Sequence, residues 1–174
     1  MTVAIRPERA QDFDAIDRVV AAAFGKEDEA ILVRRLRSSD LYRPELALVA
    51  ERDGAIVGHV MVCDVALVDA DTTHRVLSLA PLAVAPSAQR TGIGSALVRE
   101  VAAIADGLGE PLIVLQGSPQ YYGRLGFVDA RTHGIDMALP EWAPIEAAQV
   151  LPLTSDDPAL RGTIVYSDAF DGLE

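Results

Sequence analysis

The spacing of apolar residues changes period along this chain, and each change marks an element. Residues 3–6 read as a first strand. Phe13, Ile16, Val19, Val20 and Phe24 then recur at helical spacing and predict an amphipathic helix over residues 11–24. Ile31, Leu32 and Leu36 predict a second over 27–36. Strands at 46–51 and 55–65 flank Asp53-Gly54, a pair that favours a hairpin turn. A proline-interrupted strand follows at 76–84. Ile93, Leu97, Val98, Val101, Ile104 and Ala105 give a third helix its apolar face, stopped by Gly107 and Gly109. Residues 112–115 predict a short buried strand, 121–125 a short helix and 127–128 another strand. Pro140, Trp142 and Pro144 make 131–152 irregular, and 149–153 and 163–166 read as strands separated by a turn-rich stretch. With no internal repeat and no low-complexity linker, one domain is expected over 1–174, with 131–174 as its extension.

Pro81 has no N–H for a sheet ladder, so it belongs at an edge or a bulge. Five residues beyond the end of that strand, Gln89-Arg90-Thr91-Gly92-Ile93-Gly94 opens directly into the third helix. Such a turn presents backbone N–H groups at the positive end of the helix dipole, where a phosphate or pyrophosphate is well held. Residues 72–99 contain no Asp or Glu but hold Arg75, Arg90 and Arg99. Buried strands are often acid-free, and an anionic cofactor would also be repelled by carboxylates there. A dinucleotide fingerprint does not fit: Leu97 stands where the third glycine belongs, and residues 112–116 lack the expected acid.

Leu82-Ala83-Val84 followed by Gln89-Arg90-Thr91-Gly92-Ile93-Gly94 resembles the acyl-CoA signature of the GNAT family, the GCN5-related N-acetyltransferases, here in a bacterial subgroup. Downstream, Tyr121-Tyr122-Gly123-Arg124-Leu125-Gly126-Phe127 is similar to a second family motif. The resemblance covers residues 46–128 closely. It implies a mixed α/β fold of the α+β kind: a mostly antiparallel, splayed sheet flanked by helices on both faces. It also implies acetyl-CoA as acyl donor, with no metal, and acetyl transfer to a primary amine in a ternary complex. By the same resemblance, the main chain of Leu82, Ala83 and Val84 pairs with the pantetheine arm. Gln89, Arg90, Thr91, Gly92, Ile93, Gly94 and Ser95 hold the pyrophosphate, and the Leu82 N–H faces the thioester oxygen.

Tyr122 matches the family tyrosine that protonates the departing thiolate; packing against cofactor or core is the competing role. Ser118 stands where many members have an asparagine that bonds the pantetheine, which is a departure from the pattern. Gln116-Gly117-Ser118-Pro119 is not a nucleophile elbow. Deprotonating an alkyl amine of pKa near 10.4 at pH 7.4 costs about 4 kcal/mol, so a base is expected. His59, Asp64, His74, Glu27, Glu29 and His133 are candidates, and the sequence does not choose among them. The same scaffold could also bind acyl-CoA without turnover.

The chain has 174 residues, 50% of them hydrophobic and 24% charged, an ordinary globular composition. A net charge of -11 argues against tracking a nucleic-acid backbone and favours a cationic small-molecule or peptide amine. No apolar run approaches the about 20 residues of a membrane span, and no leader-like start precedes the first strand, so a cytoplasmic protein is expected. A homodimer is compatible with these features. Cys63 is the only cysteine, which leaves neither an intrachain disulfide nor a cysteine metal cluster.

Overall fold

The computed structural model describes residues 2–173. These described residues form nine strands, mostly paired antiparallel in an open sheet, together with four α-helices, and they divide into two compact units. The first holds the described residues up to Cys63, then Leu79–Ile104 and the residues from Asp168 onward. The second holds Asp64–Ser78 and Ala105–Ser167. Strands β3 (Ala55–Asp69) and β4 (Thr72–Val84) and helix α3 (Ile93–Gly107) contribute residues to both.

In the first unit, β1 (Val3–Pro7) pairs antiparallel with β2 (Ala47–Arg52), and β2 pairs antiparallel with β3. Helices α1 (Phe13–Phe24) and α2 (Asp28–Arg37) follow β1. The predicted start of α1 is instead a 3-10 turn, Ala10–Asp12. Gly25, at φ 71, ends α1 in the left-handed conformation that glycine adopts without a Cβ penalty. The apolar faces of both helices bury Ile16, Val20, Val33 and Leu36 with Ala47, Val49, Met61 and Cys63 from β2 and β3. Ala50 is opposite Gly58, whereas Glu51 is opposite Ile56, so Val57 is an extra residue bulged out of the β2–β3 ladder. On the other side of this bulge, a Cβ added to Gly58 would meet Leu97 Cδ1 at 3.0 Å and Ile93 Cγ2 at 3.1 Å. The bare glycine thus lets the start of α3 approach the strand closely.

In the second unit, β4 pairs parallel with β5 (Leu112–Gln116) through Leu77↔Ile113 and Ser78↔Val114. Strand β5 pairs antiparallel with β8 (Ala148–Pro152), and β8 with β6 (Val128–Asp129). Strand β9 (Gly162–Val165) lies antiparallel to β3 and parallel to β7 (Ile135–Met137). Leu67, Val76, Leu112, Val114, Ile135 and Val150 form this unit's core. Strand β7 lies in the stretch expected to be irregular. The hairpin strands β3 and β4 also extend beyond their predicted limits, meeting at Ala70, which takes a left-handed φ of 51.

Candidate functional site

The signature loop lies wholly in the first unit. Leu82 and Val84 are half-buried at the end of β4, and Ala83 packs into the core beneath α1 and α2. Pro81 is buried in the same stretch, after a cis Ala80–Pro81 bond and beyond the two registered pairs of β4 with β5. The Ala85 N–H donates to the Val57 carbonyl at 2.8 Å, at the bulge. A 3-10 turn, Pro86–Ala88, then leads to Gln89, whose side-chain amide donates to the Val84 carbonyl at 3.0 Å. Thr91 Oγ1 closes the turn by donating to the Ala88 carbonyl at 2.6 Å.

Two residues of this loop take left-handed backbone conformations, Arg90 at φ 62 and Gly92 at φ 88. Glycine does so freely; arginine does so under local strain. The Ala96 N–H makes a helical bond to the Gly92 carbonyl at 3.0 Å, so Ile93, Gly94 and Ser95 form the first turn of α3. Gln89, Arg90, Thr91 and Gly92 are exposed, Gly94 and Ser95 are half-buried, and buried Ile93 anchors the turn near Gly58. Backbone donors, a helix dipole, one arginine and no carboxylate make this a rim suited to a pyrophosphate.

Ser118 and Tyr122 lie in the second unit, Tyr122 on helix α4 (Pro119–Gly123) and Ser118 immediately before it. This helix begins two residues earlier than predicted because Ser118 caps it, Oγ accepting from the Tyr121 N–H at 3.3 Å, and Pro119 takes the first helical position. Tyr122 packs edge-on against Phe127, with centroids 5.5 Å apart, and against Tyr121 at 4.9 Å. A Cβ on Gly117 would lie 2.6 Å from Tyr122 Cε2, so the glycine makes room for the ring. Burial, and secondarily Tyr121, push the Tyr122 phenol well above its ordinary value. It therefore stays protonated at neutral pH. Among the described residues its hydroxyl has no hydrogen-bond partner.

The candidate bases are dispersed. His59 is fully buried, its Nε2 lying 2.8 Å from Glu8 Oε1, and among the described residues its Nδ1 has no hydrogen-bond partner. Asp64 accepts from Arg75 Nη1 at 2.8 Å, and His133 Nε2 lies 3.9 Å from Asp156. Glu27 is exposed ahead of α2, and Glu29 is 3.9 Å from Lys26. His74 is half-buried near the start of β4. Glu8 itself was not singled out by the sequence, because an acid just after a strand ordinarily reads as solvated. Its carboxylate is fully buried and also accepts from Arg37 Nε at 2.7 Å and Tyr42 Oη at 3.1 Å. Among the described residues, no three His, Cys, Asp or Glu are grouped to hold a metal, and no helix is long and apolar enough to cross a membrane.

Residues 4–129 match the model of the acetyltransferase (GNAT) domain. The Escherichia coli K12 relative YjhQ, described as an uncharacterized N-acetyltransferase, is 34% identical over 67% of this chain; the match spans 64% of YjhQ. YhbS of the same strain, described likewise, is 29% identical over 96% of this chain and 98% of its own length. The crystal structure of Escherichia coli YhbS in complex with CoA superposes with a TM-score of 0.87 at 29% identity, covering 98% of this chain and 94% of that one. A GNAT family acetyltransferase from Brucella melitensis, in complex with acetyl-CoA, gives 0.78 at 31% identity, covering 98% and 99%. Carried by a domain match over most of its length and by this likeness of fold, the chain belongs to the GNAT family of acetyltransferases.

Proposed function

We propose that this protein moves the acetyl group of acetyl-CoA to a primary amine, on a small molecule or a peptide, by direct transfer in a ternary complex. The observation that carries this reading is the acid-free turn running into α3, with Gly92 at φ 88 and the backbone donors of the first helical turn beyond it. The CoA and acetyl-CoA complexes of the two similar structures support it.

Acetyl-CoA supplies an activated acyl thioester. On this reading the N–H groups between Arg90 and Ser95 hold the pyrophosphate, and the Arg90 guanidinium adds attraction. The main chain of Leu82, Ala83 and Val84 holds the pantetheine arm, with Ser118 as a further polar contact. The Leu82 N–H donates to the thioester oxygen as charge builds on it, an effect worth about 2.7–4 kcal/mol per donor in other enzymes. Tyr122 Oη holds the proton that the departing sulfur takes. The high net negative charge favours a cationic acceptor, which approaches as an ammonium ion and must lose a proton before attack.

The deciding experiment measures free CoA release from acetyl-CoA across a panel of amines, with direct binding of acetyl-CoA in parallel. Amine-dependent release supports the transfer. Tight acetyl-CoA binding without release by any amine indicates a non-catalytic acyl-CoA binder, and no binding removes the reading altogether.

A further inference from the structure

A cleft of about 670 Å³ in the first unit is lined by none of the residues assigned to acetyl-CoA. Its walls come from the end of β1, one face of the first 3-10 turn and α1, and the β2–β3 hairpin. Three arginines line it, in a chain whose net charge is -11. Arg6 is fixed by two acids. Its Nη1 and Nη2 donate to the two Asp12 carboxylate oxygens at 2.7 and 3.0 Å, and its Nη2 and Nε donate to Glu51 Oε2 at 2.8 and 3.2 Å. Asp12 Oδ2 also accepts from the Arg9 N–H at 2.8 Å. Both acids lining the cleft are thereby committed to Arg6 and the Arg9 backbone.

Arg9 and Arg18 are different. Both are exposed, and among the described residues neither guanidinium makes a hydrogen bond or a close ion pair, although the Arg9 charge helps to hold the Asp12 carboxyl down. They flank a cleft in which three positive charges face two negative ones. The floor is partly apolar: Val19 lies on α1, and Ile56 packs against the helical core where the Val57 bulge reverses the alternation of β3. Guanidinium groups without hydrogen-bonded partners beside apolar surface are matched by a planar or tetrahedral oxyanion attached to a small apolar body.

We propose that this cleft is a binding site for a small organic anion, a carboxylate or a phosphate monoester, held by Arg9 and Arg18 over the fixed Arg6 pair. The inference is independent of the acetyl-transfer reading. The test uses benzoate and phenyl phosphate as probes and benzamide as the neutral control. Binding is followed by calorimetry and by NMR of the arginine Nε–H resonances, in the full chain and in Arg9→Gln, Arg18→Gln and the double variant. The expected result is saturable binding of at least one anion with shifts at Arg9 and Arg18, weakened about tenfold in the double variant. CoA affinity should be unchanged in these variants, and whichever probe binds identifies the headgroup. Because both side chains are exposed, the fold should survive; if the double variant unfolds, each single variant must still show part of the loss. Saturation by neither anion, equal binding of benzamide, or undiminished binding in the folded variants would overturn the proposal.

Discussion

Glu8 Oε1 lies 2.8 Å from His59 Nε2, with both side chains fully removed from solvent. The carboxylate can only accept, so Nε2 carries the proton between them. Burial alone would push the Glu8 carboxyl up, but the hydrogen bonds from His59 and Arg37 together outweigh it and pull it from an ordinary 4.5 down to about 2. The cluster therefore joins β1, α2 and β3 through one ionised acid.

A depressed carboxyl stabilises the fold at pH values above its unfolded pKa and loses that contribution as pH falls through its folded value. Glu8 should contribute fully above about pH 5 and progressively less between 4.5 and about 2. Urea unfolding across that range should show a shallower pH slope in Glu8→Gln than in the wild type. At pH 7 the variant should lose about 3 kcal/mol, because the amide keeps one acceptor oxygen but not the charge that balances the largely buried Arg37. An unchanged slope would mean that Glu8 is not the acid that matters.

Gly92→Val tests the turn. Nothing lies within 4 Å of a Cβ at this position, so the penalty comes from the left-handed backbone and not from a collision. A stability loss of about 1–2 kcal/mol is expected, with CoA affinity falling further because the first helical turn shifts. Unchanged CoA affinity in a folded Gly92→Val protein, measured by calorimetry, would remove the loop from the cofactor site.

Arg90 separates charge from backbone strain. Arg90→Ala and Arg90→Gly both delete the guanidinium and should weaken CoA binding alike, with a smaller salt dependence than the wild type. The glycine variant alone relieves the Cβ at φ 62, and should melt above the alanine variant by an amount equivalent to about 1 kcal/mol. Thermal melts and calorimetry at two salt concentrations read both effects.

Tyr122→Phe should preserve ring packing on Phe127, acetyl-CoA affinity and stability, because the hydroxyl has no partner among the described residues. If the phenol protonates the leaving sulfur, kcat should fall about 100-fold on an accepted amine. The raised pKa also predicts no basic-limb loss of activity from Tyr122 below about pH 10. Gly117→Ala should lower kcat as well, since its methyl would displace the ring. Steady-state kinetics with chemistry limiting decide; an unchanged kcat in Tyr122→Phe returns the residue to packing alone.

Elements whose faces alternate strongly were legible from the residues. Ile16, Val19 and Val20 mark α1 without ambiguity, and Gly92 marks the turn. The Val57 bulge was not legible, because register is decided by pairing across two strands and leaves no local pattern. Strand β7 has only three residues among turn formers, too few for a period to emerge. Ser118-Pro119 was a readable cap that the apolar pattern shifted by two residues. The left-handed Arg90 and the buried Glu8 follow from neighbours distant in sequence, Glu8 from a histidine fifty-one positions away.

Arg35 on α2 donates from Nη1 to the carbonyls of Ala169 at 3.2 Å and Asp171 at 2.8 Å, and Ala169 is buried in the core shared by α1 and α2. These partners are 134 and 136 positions downstream, with the whole second unit encoded between them. During synthesis the first unit therefore waits for one of its core residues until every residue of the second unit has been made. A chain stalled before Ala169 would present α2 with its seam still open.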